Sequence, residues 1–325
     1  SIWVTGVQTC ALPISAQLEV PPKAGRLQLT IASGIQAARG GNATQTELQG
    51  SVDIPGLNSL KITDVTLDIA RDERNEPNQV LLINTSFSVL ERDLPKKVTA
   101  WLLPLKHPDP KLQAEFERGN GARPFFWTEA NFRPEVLTAT AKLELTQIPG
   151  EREHYELHSF RYSADPGRQL YVKIESGLKS FGGYVLGDAV ERVLQVPEFP
   201  RELSILSKGS LLSMSGEKTL SLFGRSVPAM RIEVGRLLPR QLQHLITQTS
   251  GSFETPQFNN WAFDSANITE RFVKVVPLPK VAPGKPQYAA LDLGEYLDSN
   301  QGDRRGIFLL RIQAWDLYGD RKSVV

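Results

Sequence analysis

The chain has 325 residues, with 37 Lys and Arg against 36 Asp and Glu and a formal net charge of +1 at pH 7. This balance argues against nucleic acid or an anionic membrane as the partner, because both attract strongly basic surfaces. No run of residues approaches the roughly 18 apolar residues of a membrane-spanning helix. The length favours two or three domains over a single one.

The two ends of the chain look foreign to the rest of it. Residues 11–14 can be encoded by GCT CTT CCG ATC and residues 320–323 by GAT CGG AAG AGC, and these two strings are reverse complements. Extended outward, residues 4–14 and 320–325 back-translate into opposite strands of a common short-read sequencing adapter. We therefore expect residues 1–15 and 320–325 to be adapter-derived, and the native reading frame to continue beyond both.

This expectation changes what the composition implies. The single cysteine, Cys10, lies in the adapter-like segment, so the native stretch would hold no disulfide, thiolate nucleophile or cysteine metal site. Without residues 320–325 the basic residues fall from 37 to 35 and the acidic ones from 36 to 35, which gives a net charge of zero. A lost N-terminus would also remove any signal peptide, so localisation must be inferred from other features.

Apolar residues that alternate with polar ones, or form short runs, dominate the remaining chain. These strand-length segments lie at 60–70, 79–89, 97–105, 141–148, 170–176 and 307–315. Because clusters of Pro, Gly, Asn and Asp separate them, they predict an all-β protein of tandem antiparallel β-sandwich domains. Short helices are expected only between strands, at 109–118 and at 239–249.

An internal repeat relates two segments that are 142 or 143 residues apart. GRLQLTIASGIQAARGG from Gly25 matches GRQLYVKIESGLKSFGG from Gly167, and each is followed by a strand-like element that ends in proline. The Ser-Gly and Gly-Gly pairs suit hairpin turns that need positive φ, and proline suits a strand exit. The repeat therefore predicts two domain ends, near Leu60 and near Ile205.

The chain resembles the N-terminal region of bacterial alpha-2-macroglobulins, above all the longer proteobacterial subtype. The resemblance is carried by IPGEREHYELHSFRYSADPGRQLYVKIESGLKSFGG, by GSLLSMSGEKTLSL and by its RxLPxQLQHL continuation. It extends over essentially the whole native stretch and implies a string of seven-stranded macroglobulin-like sandwiches. Residues 16–60 would be the C-terminal part of a truncated sandwich, and residues 61–204 and 205–319 would be two macroglobulin-like domains.

The resemblance also implies a function. Members of this family are large periplasmic inhibitors of endopeptidases, in which a protease cuts a bait region, the molecule rearranges and the attacker is caged. Some carry a thioester in a Cys-Leu-Glu-Gln motif, which the native stretch lacks, and the bait region would lie downstream of Gly319. The chain would thus be a non-enzymatic scaffold without a cofactor, in the periplasm or cell envelope, where a missing N-terminus could anchor it to a membrane. Its partners would be endopeptidases and neighbouring macroglobulin-like domains.

His154, Glu156 and His158 form the one pattern that could hold a metal. Alternate residues on a strand share a face, and two imidazoles with a carboxylate are suitable zinc ligands. In the competing interpretation, these three polar residues face solvent. The apolar residues of the strand then face the core, namely Tyr155, Leu157 and Phe160. That interpretation requires nothing further, so no metal site is predicted.

No nucleophile or phosphate loop is predicted. FGRSVP around Ser226 lacks the strand, the elbow glycines and the following helix of a G-x-S-x-G motif. RGNGARP at 118–124 has glycines without the lysine or helix of a phosphate loop, and is expected to be a loop.

Two carboxylate pairs could in principle act as a general acid and base. Asp72 with Glu73, and Asp292 with Glu295, would each need a cleft around them. Both pairs adjoin loop signals, so we expect solvated turns instead.

Two aromatic groups could form a platform for sugars or a patch for a partner domain. They are Phe125, Phe126, Trp127 and Phe132 in one group and Phe258, Trp261 and Phe263 in the other. Core or domain-interface packing is the simpler expectation, since such residues dominate sandwich cores. The repeat alone would also allow a cell-surface adhesin or a carbohydrate-binding array of immunoglobulin-like repeats, with Trp127 or Trp261 stacked on glycan.

Overall fold

The computed structural model describes residues 19–36, 40–206, 218–248, 269–297 and 307–316. The two adapter-like ends, including Cys10, lie outside these residues. The described residues are mostly antiparallel β-strands, which confirms the all-β prediction. The chain divides into two compact units, Ser1–Pro197 and Glu198–Val325. The assignment of residues 61–204 and 205–319 to native domains stays a prediction.

The described residues of the first unit form ten strands in three sheets. The strands are β1 (Gly25–Ile31), β2 (Leu48–Ile54), β3 (Ile62–Arg71), β4 (Pro77–Leu90), β5 (Val98–Leu102), β6 (Ala141–Leu143), β7 (Thr146–Gln147), β8 (His154–Arg161), β9 (Gln169–Ile174) and β10 (Val190–Gln195). One sheet has the order β3-β4-β8-β7, another β10-β9-β5-β6, and β1 pairs with β2 in a two-stranded sheet. The strand predicted at 141–148 is thus two short strands in different sheets.

The core of the first unit lies between its two four-stranded sheets. The period of two along each strand sends alternate side chains inward, and many of the buried ones come from β4, β8 and β9. They include Leu81, Ile83, Phe160, Leu170, Val172 and Ile174. Burying each side chain of this size stabilises the fold by roughly 1.5–3 kcal/mol.

A helical insertion follows β5 and covers the outer face of that strand's sheet. Helix α1 (Pro110–Asn120) begins where Asp109 accepts a hydrogen bond from the backbone N–H of Lys111, which confirms the predicted helix start. It ends at Gly121, whose φ is +66°. The prediction of a loop over 118–124 is therefore wrong for its first three residues, because the helix continues until a glycine can leave it.

In the second unit, the residues that the structure describes form six strands in two sheets. They are β11 (Glu202–Ile205), β12 (Thr219–Arg225), β13 (Ala229–Leu237), β14 (Thr269–Pro277), β15 (Pro286–Asp292) and β16 (Phe308–Trp315). The sheets have the orders β11-β12-β15 and β14-β13-β16, and every pairing is antiparallel. Leu222, Met230, Ile232 and Leu291 form the centre of the core between them.

Two short helices accompany these strands in the part of the unit that the structure describes. Helix α2 (Leu242–Gln248) lies within the helix predicted at 239–249, after a 3-10 turn, and α3 (Gly294–Leu297) is a single turn. Leu245 is fully buried, but Leu242 and Ile246 are exposed, so the inward side of this helix is narrow. None of the helices in the described part of the chain is long and apolar enough to cross a membrane.

Candidate functional site

The repeated segments fold into two hairpins with the same strand register. In the hairpin of β1 and β2, Leu29 lies opposite Gly50, and in that of β9 and β10 the equivalent Val172 lies opposite Arg192. An offset of 143 residues in the first strand and 142 in the second relates all six pairs of the β9–β10 ladder to pairs of the β1–β2 ladder. The repeat in sequence is therefore also a repeat in structure.

The loops of the two hairpins share their backbone hydrogen bonds as well. Gly34 N–H donates to the carbonyl of Thr44 at 2.7 Å, and Gly177 N–H donates to the carbonyl of Leu186 at 2.8 Å. The φ angles of these glycines are +92° and +81°, a region where other residues are strained. The turn glycines predicted from the Ser-Gly pairs are thus confirmed.

The two hairpins differ in what lies against their apolar side. Leu27, Leu29 and Ile35 in the first hairpin are 44%, 56% and 53% exposed. Their equivalents in the second hairpin are each 1% exposed: Leu170, Val172 and Leu178. We call the exposed surface formed by Leu27, Leu29, Ile35, Leu48 and Val52 the hairpin face. It is a candidate contact surface, because an uncovered row of large apolar residues commonly marks an interaction site.

The first aromatic group is largely a core element. Trp127 is 2% exposed, and its ring lies against those of His107 and Phe125, at centroid distances of 5.2 and 4.7 Å. Phe132 stacks on Tyr171 of β9 at 4.0 Å. Because the Trp127 ring is covered, it cannot serve as an open stacking platform for a glycan. The residues of the second group lie outside the described residues: Phe258, Trp261 and Phe263.

Two buried glutamines hold neighbouring loops by reciprocal hydrogen bonds. The Oε1 of Gln169 accepts from the backbone N–H of Trp127, and its Nε2–H donates to the Trp127 carbonyl, both at 2.7 Å. Gln79 makes the same pair of bonds with Ala164, both at 2.8 Å. Each side-chain amide thus makes the pair of backbone hydrogen bonds that a neighbouring strand would otherwise make. No sequence motif identifies such a residue, and the prediction missed both.

His158 was expected in solvent if it bound no metal, and that expectation is wrong. Its side chain is buried, and Nε2 lies 3.0 Å from the carbonyl oxygen of Tyr155. Since Phe160 is two residues further along the same strand, a strand that buries Phe160 also turns His158 inward. Leu157, expected inside, is correspondingly exposed. Burial lowers the pKa of the imidazole, although its hydrogen bond opposes that shift.

The three residues considered for a metal do not converge on one point. His154 packs edge-on against Phe181 with ring centroids 4.8 Å apart, and Glu156 is exposed. His158 faces the backbone instead. In the part of the chain that the structure describes, no three His, Cys, Asp or Glu residues are grouped so that they could hold a metal ion.

Ser226 lies in the turn between β12 and β13, with a φ of +54°. A strand does precede it, contrary to the prediction, but another strand follows where a nucleophile elbow needs a helix. The next residue, Val227, donates its backbone N–H to Gln287 at 3.3 Å. The strained turn therefore serves the crossing from one sheet to the other.

The acidic candidates act in turns and in an ion pair. Asp72 accepts hydrogen bonds within its own turn, and the one from the backbone N–H of Glu76, at 2.9 Å, is the main cause of its lowered pKa. Asp292 accepts a similar bond from the backbone N–H two residues later. Glu295 pairs with Lys274 at 2.9 Å, and this contact lowers the pKa of the carboxyl and raises that of the amine. These carboxylates thus stabilise local structure.

An open depression of about 640 Å³ adjoins Asp72 on the outer face of the first unit. Its lining includes three arginines and one further carboxylate: Arg71, Arg74, Arg161 and Glu73. Because Asp72 is already engaged in its turn, the depression presents no free pair of carboxylates for acid–base chemistry.

The prediction did not identify Arg225, the most buried charged residue among those described in the second unit. Arg225 is 2% exposed; its Nε lies 3.2 Å from a carboxylate oxygen of Glu202, and its Nη1–H donates to the carbonyl of Gly284 at 2.7 Å. Its guanidinium also lies over the ring of Phe223, 5.5 Å from the centroid. The side chain therefore ties the edge strand β11 and the loop before β15 to strand β12.

In the described part of the chain, the polar groups in the candidate positions hold turns, loops and sheet edges together, while the apolar hairpin face is exposed. Each of the two units is built from antiparallel sheets, so the fold is that of a tandem β-sandwich protein.

Comparison with known proteins identifies the relatives of this chain. No family model matches it. The "Alpha-2-macroglobulin homolog" of Yersinia pestis is 30% identical over 294 residues, covering 90% of this chain and 14% of the relative. "Alpha-2-macroglobulin" of Pasteurella multocida is 28% identical over 286 residues, covering 88% and 14%. That of Rickettsia conorii is 27% identical over 323 residues, covering 91% and 17%. The chain is thus homologous to bacterial alpha-2-macroglobulins.

Two of the solved structures that align with this chain do so at TM-scores below 0.5. Native alpha-2-macroglobulin from Escherichia coli, spanning domains MG0-NIE-MG1, aligns with 80% of this chain and 67% of its own, at 14% identity and a TM-score of 0.39. Salmonella alpha-2-macroglobulin reacted with methylamine aligns with 78% of this chain and 12% of its own, at 12% identity and a TM-score of 0.41. The chain spans 14–17% of the length of the curated relatives it matches.

Proposed function

We propose that this chain is a scaffold segment of a bacterial alpha-2-macroglobulin that inhibits endopeptidases by entrapment. The bait region, and any thioester, lie outside the segment, so the chain contributes domains and not chemistry. Its partners are endopeptidases, met through the whole protein, and the neighbouring macroglobulin-like domains of the same polypeptide. The whole protein acts in the periplasm or cell envelope.

The observation that carries this proposal is the extent of the homology. Three relatives, all bearing the alpha-2-macroglobulin name, match 88–91% of this chain at 27–30% identity. A match of this length covers both compact units together and is not confined to one sandwich. The proposed domain organisation is a truncated sandwich at 16–60, followed by domains at 61–204 and 205–319.

The contacts of the acidic and serine candidates also support a role without catalysis. Asp72 and Asp292 are held by turns, Glu295 is paired with Lys274, and Ser226 lies between two strands. A general acid or base needs a free position beside a substrate. These residues are instead committed to local structure.

Recovery of the full reading frame from the same source DNA tests the proposal first. We expect further macroglobulin-like domains and a long bait-like segment downstream of Gly319. The purified whole protein, mixed with an endopeptidase, should block cleavage of a large protein substrate. It should leave cleavage of a short peptide intact, because a cage excludes substrates by size. Flanking sequence without such domains, or equal inhibition of both substrates, would contradict entrapment.

A further inference from the structure

The open depression beside Asp72 has an apolar floor. It lies on the side of the β3-β4-β8-β7 sheet that faces away from the core, and four of its lining residues are apolar: Ala70, Val80, Leu82 and Ile148. Val80 is only 2% exposed, although the period of two turns it away from the core residue Leu81. The volume of about 640 Å³ lies within the range of about 300–1,000 Å³ that is usual for ligand sites. The depression therefore has the size and the apolar base of a binding site.

Positive charge surrounds this floor. Three arginines line the depression, and Arg161 lies directly opposite Val80 in the β4–β8 ladder. Side chains paired in this way have Cβ atoms about 4.5–5.5 Å apart, so a cation adjoins the most deeply buried residue of the floor. The lining also holds two carboxylates, those of Asp72 and Glu73, so three guanidinium charges leave one positive charge in excess. The depression therefore favours an anion.

The carboxylate of Asp72 is engaged by the turn between β3 and β4. Its Oδ1 accepts hydrogen bonds from the backbone N–H groups of Arg74 and Glu76, both at 2.9 Å. Its Oδ2 accepts a third from the Nδ2–H of Asn78 at 3.1 Å. In the part of the chain that the structure describes, the exposed guanidinium groups of Arg74 and Arg161 make no hydrogen bond. Both can therefore donate to an anionic ligand.

A ligand that fits must carry its negative charge close to an apolar group, because Arg161 and Val80 are neighbours across the ladder. The last residue of a peptide does so when its side chain is apolar, since the carboxylate and the side chain share one Cα. A guanidinium binds a carboxylate through two parallel N–H···O bonds. Ser159, opposite Leu82 on the same floor, adds a hydroxyl that can pair with a peptide amide. The alkyl tail of a fatty acid offers that hydroxyl no partner.

We propose that this depression binds the C-terminal end of a peptide whose last residue is apolar. The guanidinium groups at the rim hold the carboxylate, and Val80 and Leu82 pack against the last side chain. Ser159 pairs with the amide that precedes it. The site goes beyond the proposed scaffold role and does not rest on it.

Isothermal titration calorimetry of the whole chain tests the proposal. The probe is a short peptide, acetylated at its N-terminus, that ends in leucine with a free carboxylate. The same peptide with a C-terminal amide should bind about tenfold more weakly, because it lacks the charge that the guanidinium groups contact. A peptide that ends in glycine should also bind more weakly, because it places no side chain on the apolar floor.

Substitutions in the chain locate the binding. Arg161→Gln should weaken binding of the free-carboxylate peptide by about tenfold and leave that of the amide peptide unchanged. Ser159→Ala should weaken binding of both peptides, because it removes the hydroxyl and not the charge. The matched control is Arg123→Gln, which removes an exposed arginine of the same unit outside the depression and should change nothing. Urea unfolding midpoints show that each variant is folded at the temperature of the titration.

Several outcomes would overturn the inference. The free-carboxylate peptide could fail to bind at millimolar concentration, or could bind no more tightly than its amide. Laurate that binds more tightly than the peptide, and equally well after Ser159→Ala, would assign the site to a fatty acid. Complete displacement of the peptide by an equal concentration of inorganic phosphate would show an anion site without apolar contact. Equal weakening by Arg123→Gln and Arg161→Gln would show that binding follows net charge alone. None of these results depends on protease inhibition.

Discussion

The side-chain amide of Gln169 makes two hydrogen bonds of 2.7 Å with the backbone of Trp127, one as acceptor and one as donor. Gln169 begins strand β9, and Trp127 belongs to the insertion that follows β5. The contact fixes the insertion against the outer face of the sheet, where Trp127 and Phe132 pack on Leu103 and Tyr171. At the equivalent register position of the first hairpin stands Arg26, which pairs with Asp53 in solvent.

Gln169→Leu should destabilise the first unit by about 2–4 kcal/mol, because it leaves the backbone N–H and carbonyl of Trp127 buried without partners. The free energy of unfolding from urea titration measures this loss. The matched control is Gln195→Leu, since Gln195 lies opposite Gln169 in the β9–β10 ladder but is exposed. Equal losses in the two variants would show that the buried contact does not contribute to stability.

Stability of the first unit should fall as the pH drops below about 6.5, the ordinary histidine pKa. Burial lowers the pKa of His158 in the folded state. The unfolded chain therefore binds a proton at a higher pH, and protonation favours unfolding. The contribution is fully present above pH 6.5 and is lost as the pH falls towards the lowered pKa.

Unfolding midpoints in urea at several values between pH 7.5 and pH 5 measure this dependence. His158→Gln should flatten it, because the side chain no longer titrates. His154→Gln changes a histidine of the same strand that is only partly buried, and serves as control. If His154→Gln flattens the pH dependence of stability as much as His158→Gln does, then burial of His158 is not its cause.

Arg225→Met should destabilise the second unit by about 3–5 kcal/mol, because it leaves the Glu202 carboxylate without its buried partner. Arg225→Lys should recover only part of this loss, since an ammonium cannot reproduce the fork of the guanidinium. Lys274→Met is the control, because it breaks an ion pair whose two side chains are about half exposed, and should have little effect. Thermal unfolding of the three variants measures these differences in stability. An Arg225→Met protein as stable as the unsubstituted chain would show that the contacts of Arg225 do not stabilise the second unit.

Two glycine substitutions should change stability in opposite directions. Gly177→Ala should cost about 1–2 kcal/mol, because the φ of +81° strains a residue with a Cβ. Gly119→Ala lies within helix α1, where the added methyl group meets no atom within 4 Å, and should stabilise the unit by about 0.5 kcal/mol. Denaturant unfolding midpoints compare the stability of the two variants. A loss of stability in both would show that the turn conformation of Gly177 is not the cause of its effect.

Local rules predicted much of the fold. Alternation located strands such as β3, β4 and β16, and Asp109 with Pro110 marked the start of α1. The prediction was wrong for His158, because it assigned polar residues to solvent regardless of their spacing from Phe160. Strand periodicity is strict, so a polar residue two positions from a core residue enters the core with it.

The candidate interactions were harder to predict for a different reason. Gln169 and Arg225 are polar residues whose partners lie 42 and 23 positions away in sequence, at Trp127 and Glu202. Nothing in the residues themselves distinguishes them from exposed glutamines and arginines. Only the packing of separate segments shows which polar groups are buried and must be satisfied.

The sequence by itself determined the strand pattern, the turn glycines and the repeat, because these depend on contacts between residues close in the chain. It could not distinguish Leu29 from Val172, which are equivalent in pattern and in register. The tertiary structure decided that Val172 is buried and Leu29 exposed. Burial depends on which distant segments pack over a strand, and local alternation carries no information about them.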